Sequence, residues 1–234
     1  MIENKKSNSK EALLQAAEKL FTIKGYAAVS TRELADEAEV NLGAIQYHFG
    51  SKTELFVETI RRLMLEKNKA NPLFTNDAPV SKKEDAAIEL VLFIRAFLSD
   101  LCKPTGPDAC RLMYREVLGD SSQDAEMLET LVSLVVEEFI RPVDQRLRLI
   151  LAKLSPESSE QELKLTVHSI IGQCSFYLTN RAFIERLRDI KITECKKFAE
   201  VSAHVASFTL RGLGLNDGEI MAALESAQGK FGEN

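Results

Sequence analysis

The sequence predicts an all-α protein, with a small three-helix domain at the N-terminus followed by a larger helical body. Three observations carry this. Apolar residues recur at helical spacing along nearly the whole chain, and no strictly alternating run rich in β-branched residues is long enough for a sheet. Two S-x-x-E capping boxes, Ser30/Glu33 and Ser51/Glu54, mark two closely spaced helix starts. Asn71 to Ser81 holds two prolines and several turn formers, as a linker does. The expected division is residues 1–62 for the small domain, 63–81 for a helix end and linker, 82–228 for the body and 229–234 for a tail.

Met1 to Ser9 is polar, and its Lys5 and Lys6, with Lys10, form either a basic arm or a frayed terminus. From Lys10 to Lys24, Leu13, Leu14, Ala17, Leu20 and Phe21 mark an amphipathic helix that Gly25 ends. Ser30 caps a helix whose Leu34, Ala35 and Ala38 make a small apolar face, and Asn41 is a suitable cap for the next. In that segment, Leu42 to Phe49, the residues Leu42, Ile45 and Phe49 share one side, while Gly43, Gln46, Tyr47 and His48 fall largely elsewhere. Gly50 stops it. A short helix that keeps small and hydrogen-bonding residues off its buried side suits a DNA major groove, so residues 30–55 read as a helix-turn-helix.

The helix Thr53 to about Lys69 follows, through Leu55, Phe56, Ile60 and Leu63. Beyond the linker, Ala86–Leu101 is apolar enough for burial on more than one face, and Lys103–Pro107 breaks it. Helices are expected over Asp108–Leu118, from Asp124 to Ile140 and over Val143–Leu154, with Pro142 forcing a boundary or kink. Glu160–Asn180 and Thr193–Arg211 carry apolar stripes wide enough to serve both a core and a partner. Val167, Ile171, Cys174, Val201, Val205 and Phe208 are the expected face of a two-fold homodimer. Asp217–Ala227 forms a short last helix.

The formal charge is -5, and Met1–Arg62 holds nine Lys or Arg against nine Asp or Glu. A neutral small domain binds DNA only if its basic residues converge on one face, and the acidic remainder opposes adhesion to random DNA. The four cysteines, Cys102, Cys110, Cys174 and Cys195, form no CxxC pair and have no histidine at metal-ligand spacing. Neither a signal peptide nor a membrane span is expected, which makes the cytoplasm with reduced thiols the default. No glycine-rich phosphate loop, nucleophile elbow or HExxH occurs, and His48, His168 and His204 sit in no catalytic constellation. A non-enzyme without cofactor or metal is the expectation.

The stretch Leu20–Phe56, LFTIKGYAAVSTRELADEAEVNLGAIQYHFGSKTELF, resembles the DNA-binding domain of the TetR/AcrR family of bacterial transcriptional regulators. YHFGSKTEL, Tyr47–Leu55, is its most specific part, together with Gly25–Tyr26; the likeness covers about a quarter of the chain. RLMYREVLGD (Arg111–Asp120) and EEFIRPVDQRL (Glu137–Leu147) look like the C-terminal domain of the CecR-like (YbiH-like) branch. The resemblance implies a homodimer with one three-helix reader per subunit and a ligand-binding, dimerising body. It also implies a regulator, generally a repressor, that leaves a palindromic double-stranded DNA operator when a small-molecule inducer binds. By position, Thr31, Arg32, Gly43, Gln46, Tyr47, His48 and Lys52 match the places where such regulators touch DNA. Gln46 stands where many members have another aromatic residue, so its contact is argued from its own chemistry: glutamine pairs bidentately with adenine N6 and N7.

Each assignment has a bland rival. Tyr47 is either a phosphate ligand or domain core, and His48 a phosphate ligand or a capping hydrogen bonder. Lys52 meets phosphate at a helix start or is simply solvated, and Thr31 does the same or serves its helix start. Arg32 reaches the DNA backbone or pairs with Asp36. In the body, Arg95, Arg111, Tyr114, Arg115, His168, Gln173 and Tyr177 are polar groups within apolar helices, and either line an inducer pocket or make ordinary ion pairs and surface contacts. A helical adaptor that binds only protein, or a DNA-binding activator, is the alternative function.

Overall fold

The computed structural model describes residues 2–70, 78–99, 109–118, 125–192 and 194–231. These residues form α1 (Ile2–Lys24), α2 (Thr31–Glu37), α3 (Gly43–Phe49), α4 (Lys52–Ala70), α5 (Lys83–Leu98), α6 (Ala109–Leu118) and α7 (Ala125–Val135). A π-helical turn, Val136–Ile140, leads into α8 (Arg141–Leu154), and α9 (Glu160–Thr179), α10 (Arg181–Arg188), α11 (Cys195–Gly212) and α12 (Asp217–Phe231) follow. No strand occurs among the described residues, so the fold is all-α as expected. Met1–Ser9 differs from its reading as a loose end: α1 is helical from Ile2. The first part of the linker and the break at Lys103–Pro107 lie outside the described residues.

The chain gathers into two compact units. One joins Met1–Ala70 to Thr105–Ile140; the other joins Asn71–Pro104 to Arg141–Asn234. This differs from the expected division into 1–62, a linker and 82–228, because α6 and α7 pack against α4. The reason is visible in the first unit's core, where Leu112 of α6 and Met127, Leu131, Leu134 and Val135 of α7 share one cluster with Leu13, Phe21, Phe56 and Ile60. Phe21 and Phe56 meet edge to face with centroids 5.0 Å apart, a favoured aromatic geometry. Arg61 on α4 also donates to both carboxylate oxygens of Glu138 in the π turn, at 3.0–3.2 Å, and pairs with Glu58.

The expected disturbance at Pro142 takes the form of that π turn. Proline lacks an N–H and crowds the carbonyl four residues earlier. Here that residue is Glu138, which lies within the wider turn, and helix resumes at Arg141.

The second unit is built around α5, against which α8, α9, α11 and α12 pack. Ala86, Ala87, Leu90, Val91, Phe93, Ile94, Ala96 and Leu98 are all buried, more than one face of a helix provides. Buried Arg146 on α8 pairs with Glu89 and donates to the carbonyl of Ala78, fastening the segment that enters α5. The short helix α10 has no counterpart in the sequence reading. It buries none of its residues, and its Phe183 and Leu187 are exposed. Apolar periodicity without burial supplied too little of a core pattern to announce it.

Candidate DNA-binding face

Positive backbone angles fix the joints of the reader. Gly25 (φ +86°) ends α1 in a left-handed conformation that favours glycine, and a Cβ there would also stand 3.1 Å from Glu116 Oε1. Ser30 and Glu33 complete a reciprocal capping box at the start of α2. Lys24 at the end of α1 donates to Glu33 at 2.7 Å, and Lys19 to Glu37 at 2.6 Å. With the Lys24 ammonium and the Ser30 backbone N–H both bonded to it, the Glu33 carboxyl is pushed down to about 2.

The turn between α2 and α3 places Glu39 at φ +54°, while Val40 N–H donates back to the carbonyl of Ala35 at 3.0 Å. Asn41 does not cap α3 through its side chain as expected. Leu42 is the N-cap and has no side-chain cap bond, and the carbonyl of Asn41 accepts from Ala44 N–H at 3.0 Å instead. A backbone turn satisfies the donor that the side chain was expected to satisfy. Gly50 closes α3 at φ +83°, its N–H donating to the carbonyl of Gln46. Ser51 Oγ then accepts from Glu54 N–H at 3.0 Å, opening α4.

On α3 the buried side carries Ala44, Ile45 and Phe49, whereas Gly43, Gln46 and Tyr47 are exposed, Tyr47 at 63%. Leu42, read as belonging to the buried side, is 55% exposed. Thr31 and Arg32 are exposed on α2, and no ion pair joins Arg32 to Asp36 among the described residues. His48 is half-buried, with Nε2 hydrogen-bonded to Ser9 Oγ at 2.7 Å, so it holds α1 against α3 in the free protein. Lys10 lies over the Phe49 ring, 5.7 Å from its centroid, at the same junction. The Lys52 ammonium sits 4.2 Å over the Tyr26 ring, and Tyr26 Oη shares a 2.8 Å hydrogen bond with Thr53 Oγ1. The start of α4, with its free N–H groups, therefore presents a cation on an aromatic platform.

Gly43 is the informative glycine. Its φ is not positive, and an added Cβ would meet only Asn41 Oδ1, at the ordinary distance of 3.4 Å. The free fold has no use for its missing side chain.

The residues expected to line a pocket are divided between the two units. Arg115 belongs to the first unit and donates to the carbonyls of Phe21 and Thr22 at the end of α1. Arg95, His168, Gln173 and Tyr177 belong to the second unit, where His168 is exposed and the other three are half-buried. The side chains of Arg111 and Tyr114 lie outside the described residues. Two clefts of the second unit occur elsewhere. One, of about 200 Å³, lies between α5 and α12 near Lys83 and Leu215, and the other, of about 460 Å³, lies beside Glu185 and Lys191. Among the described residues no group of three metal-ligating side chains is found.

The expected dimer face is also divided. Val167, Cys174 and Val205 are 3%, 0% and 1% exposed and pack in the core of their own unit, so they have no free surface to offer a partner. Ile171 and Val201 pack partly against that core, and Phe208 is 60% exposed. Burial alone drives the Cys174 thiol up to about 12, which makes it an inert core residue.

Two family models match the chain. The one described as bacterial regulatory proteins, tetR family, covers residues 13–59, and the C-terminal domain of the HTH-type transcriptional dual regulator CecR covers residues 86–213. The chain belongs to the TetR family. It is a transcriptional regulator of that family with a CecR-type C-terminal region. Curated relatives agree. The HTH-type transcriptional repressor NicS of Pseudomonas putida is 24% identical over 88% of this chain and 92% of its own. The dual regulator CecR of Shigella flexneri is 28% identical over 72% of this chain and 75% of its own. The match to the probable regulator YttP of Bacillus subtilis, 26% identical, spans 57% of this chain and 65% of that protein.

Solved structures share the fold. AmtR of Mycobacterium smegmatis superposes with a TM-score of 0.54 at 21% identity, covering 94% of each chain. Bacillus subtilis FadR, solved with stearoyl-CoA, gives 0.58 at 16% identity over 86% of this chain and 98% of its own. Among the described residues no helix is long and apolar enough to cross a membrane.

Proposed function

We propose that this TetR-family regulator represses transcription by binding a palindromic operator as a homodimer and leaves it when a small molecule binds the C-terminal region. The observation that carries the reading is the composition of α3. Its buried side is fully used by Ala44, Ile45 and Phe49, and its exposed side offers Gly43, Gln46 and Tyr47 to a groove. Gly43 lets the helix approach closely, Gln46 reads an adenine edge, and Tyr47, Thr31, Arg32 and Lys52 hold phosphates. His48 serves first to brace α3 through Ser9, adding a phosphate contact only if that bond opens. Exposed Phe176, Phe183, Leu187 and Phe208 on α9, α10 and α11 are large apolar side chains that a second copy would cover.

An inducer would act by favouring a dimer geometry whose half-site spacing no longer fits the operator, and can shift that balance only by its differential affinity. The test is binding to DNA upstream of its own gene against scrambled DNA at fixed salt, repeated with amphipathic small molecules. Sequence-dependent binding that a compound releases supports repressor and switch together. A folded dimer with no preference for any genomic DNA sinks the proposal. Within it, Lys52→Ala should weaken binding to all sequences alike, whereas Gln46→Ala should change the bases selected from a random pool; an unaltered selection profile would remove Gln46 as a base reader.

A further inference from the structure

The connection between α6 and the start of α4 has a role that the DNA-binding reading does not use. Glu116 is 3% exposed, and its Oε1 accepts the buried N–H of Tyr26 at 3.1 Å. Neighbouring Arg115 lies 3.3 Å from the same oxygen and donates to the carbonyls of Phe21 and Thr22, the open end of α1. Two adjacent residues of α6 thus satisfy both the last carbonyls of α1 and the first N–H beyond Gly25. A Cβ on Gly25 would stand 3.1 Å from Glu116 Oε1 and press on this contact.

Tyr26 is the next member of the chain of contacts. Its backbone is held by Glu116, its ring lies against Phe21 and Phe56 with centroids 6.2 and 5.1 Å away, and the Lys52 ammonium sits over the same ring. Its hydroxyl is bonded to Thr53. A shift of the Tyr26 backbone therefore moves the platform under Lys52 and the hydroxyl beside it.

Glu116 Oε2 has no hydrogen-bond partner among the described residues. A buried carboxylate with one bare oxygen carries a desolvation cost that a neutral cap would avoid. The Arg115 guanidinium, 3.3 Å from the other oxygen, offsets part of that cost.

We infer that Glu116, with Arg115, is a positioning residue for DNA binding: α6 sets the place of the Lys52 ammonium through Tyr26. This rests on the reading of Lys52 as a phosphate ligand. It gives α6 a direct handle on a phosphate contact, separate from any movement of α4 as a whole.

The experiment uses the full-length protein and a duplex that the wild type has selected from a random pool, with affinity measured across a salt series. Lys52→Ala should lower the slope of log affinity against log salt by about 1, one phosphate contact. Glu116→Ala should lower it by about the same, and the double variant should fall no further than Lys52→Ala alone. Glu116→Gln, which keeps an acceptor for the Tyr26 N–H, should recover the slope. Should Glu116→Ala not fold, Arg115→Gln replaces it with the same expectation, since it frees the end of α1 and the partner of Glu116.

A merely structural Glu116 would lower the melting temperature and the active fraction but leave the slope alone. The inference is overturned if the Lys52 and Glu116 effects on affinity multiply within about twofold with the Glu116→Ala slope unchanged. If Lys52→Ala itself leaves the slope unchanged, the phosphate reading of Lys52 fails and the relay falls with it. If only Glu116→Ala leaves it unchanged, the relay alone is lost.

Discussion

Replacing Gly43 by alanine should separate what the fold needs from what DNA needs. In the free protein the new methyl meets only Asn41 Oδ1 at 3.4 Å, and no positive φ is involved. Alanine also loses less backbone entropy than glycine in a helix, by about 0.5–1 kcal/mol in an interior position. Gly43 is the first residue of α3, so the lower end of that range applies, and the variant should be slightly more stable than wild type. On DNA the same methyl occupies the space through which α3 approaches the bases. The cost should be of the order of one lost base contact, about 1–3 kcal/mol, or roughly tenfold in affinity and beyond. Urea unfolding reports the first effect, and fluorescence anisotropy on a selected duplex at fixed salt reports the second. A Gly43→Ala protein that binds as tightly as wild type refutes the close-approach argument. A clear loss of stability would mean that Gly43 is kept for folding.

Further outcomes follow from the local geometry. Glu33 has its carboxyl lowered from 4.5 to about 2 by Lys24 and the Ser30 N–H, so its contribution to stability is complete above the unfolded value and is lost as pH falls from 4.5 towards 2. Glu33→Gln should flatten stability against pH across that window, and an acid transition identical to wild type would deny Glu33 that part. Glu39 holds φ +54°, a left-handed conformation that costs a side chain about 1 kcal/mol, so Glu39→Gly should be neutral to stabilising by roughly 0.5 kcal/mol in urea unfolding. Phe93 is wholly buried at the centre of the second unit, and Phe93→Ala should destabilise by about 3–5 kcal/mol in the same assay.

The reader was legible because its rules are local. Ser30 and Glu33, three residues apart, form the capping box whatever lies around them, and Gly25 and Gly50 adopt the left-handed angles that helix ends require. The side of α3 that carries Ile45 and Phe49 follows from helical spacing alone. Pro142 announced a disturbance through its missing N–H, though not that a π turn would absorb it. Thr31, Arg32, Gln46 and Tyr47 stand out through the positions they share with TetR-family regulators, while helical spacing alone keeps Gln46 and Tyr47 off the buried side of α3.

Long-range packing decided the rest. Sequence spacing cannot tell which of two apolar faces turns inward, so Val167, Cys174 and Val205 read as readily for a partner as for the core they fill. Nor does it say that Arg115, a charged residue in an apolar helix, spends its guanidinium on two carbonyls more than ninety positions earlier. His48 found Ser9, and Lys52 found Tyr26, only once α1, α3 and α4 had packed. A residue's own helix sets the direction in which its side chain points, so the chain by itself determined the elements and the outward face of the reader. What each side chain meets depends on which helix arrives there, and only the tertiary structure decided that.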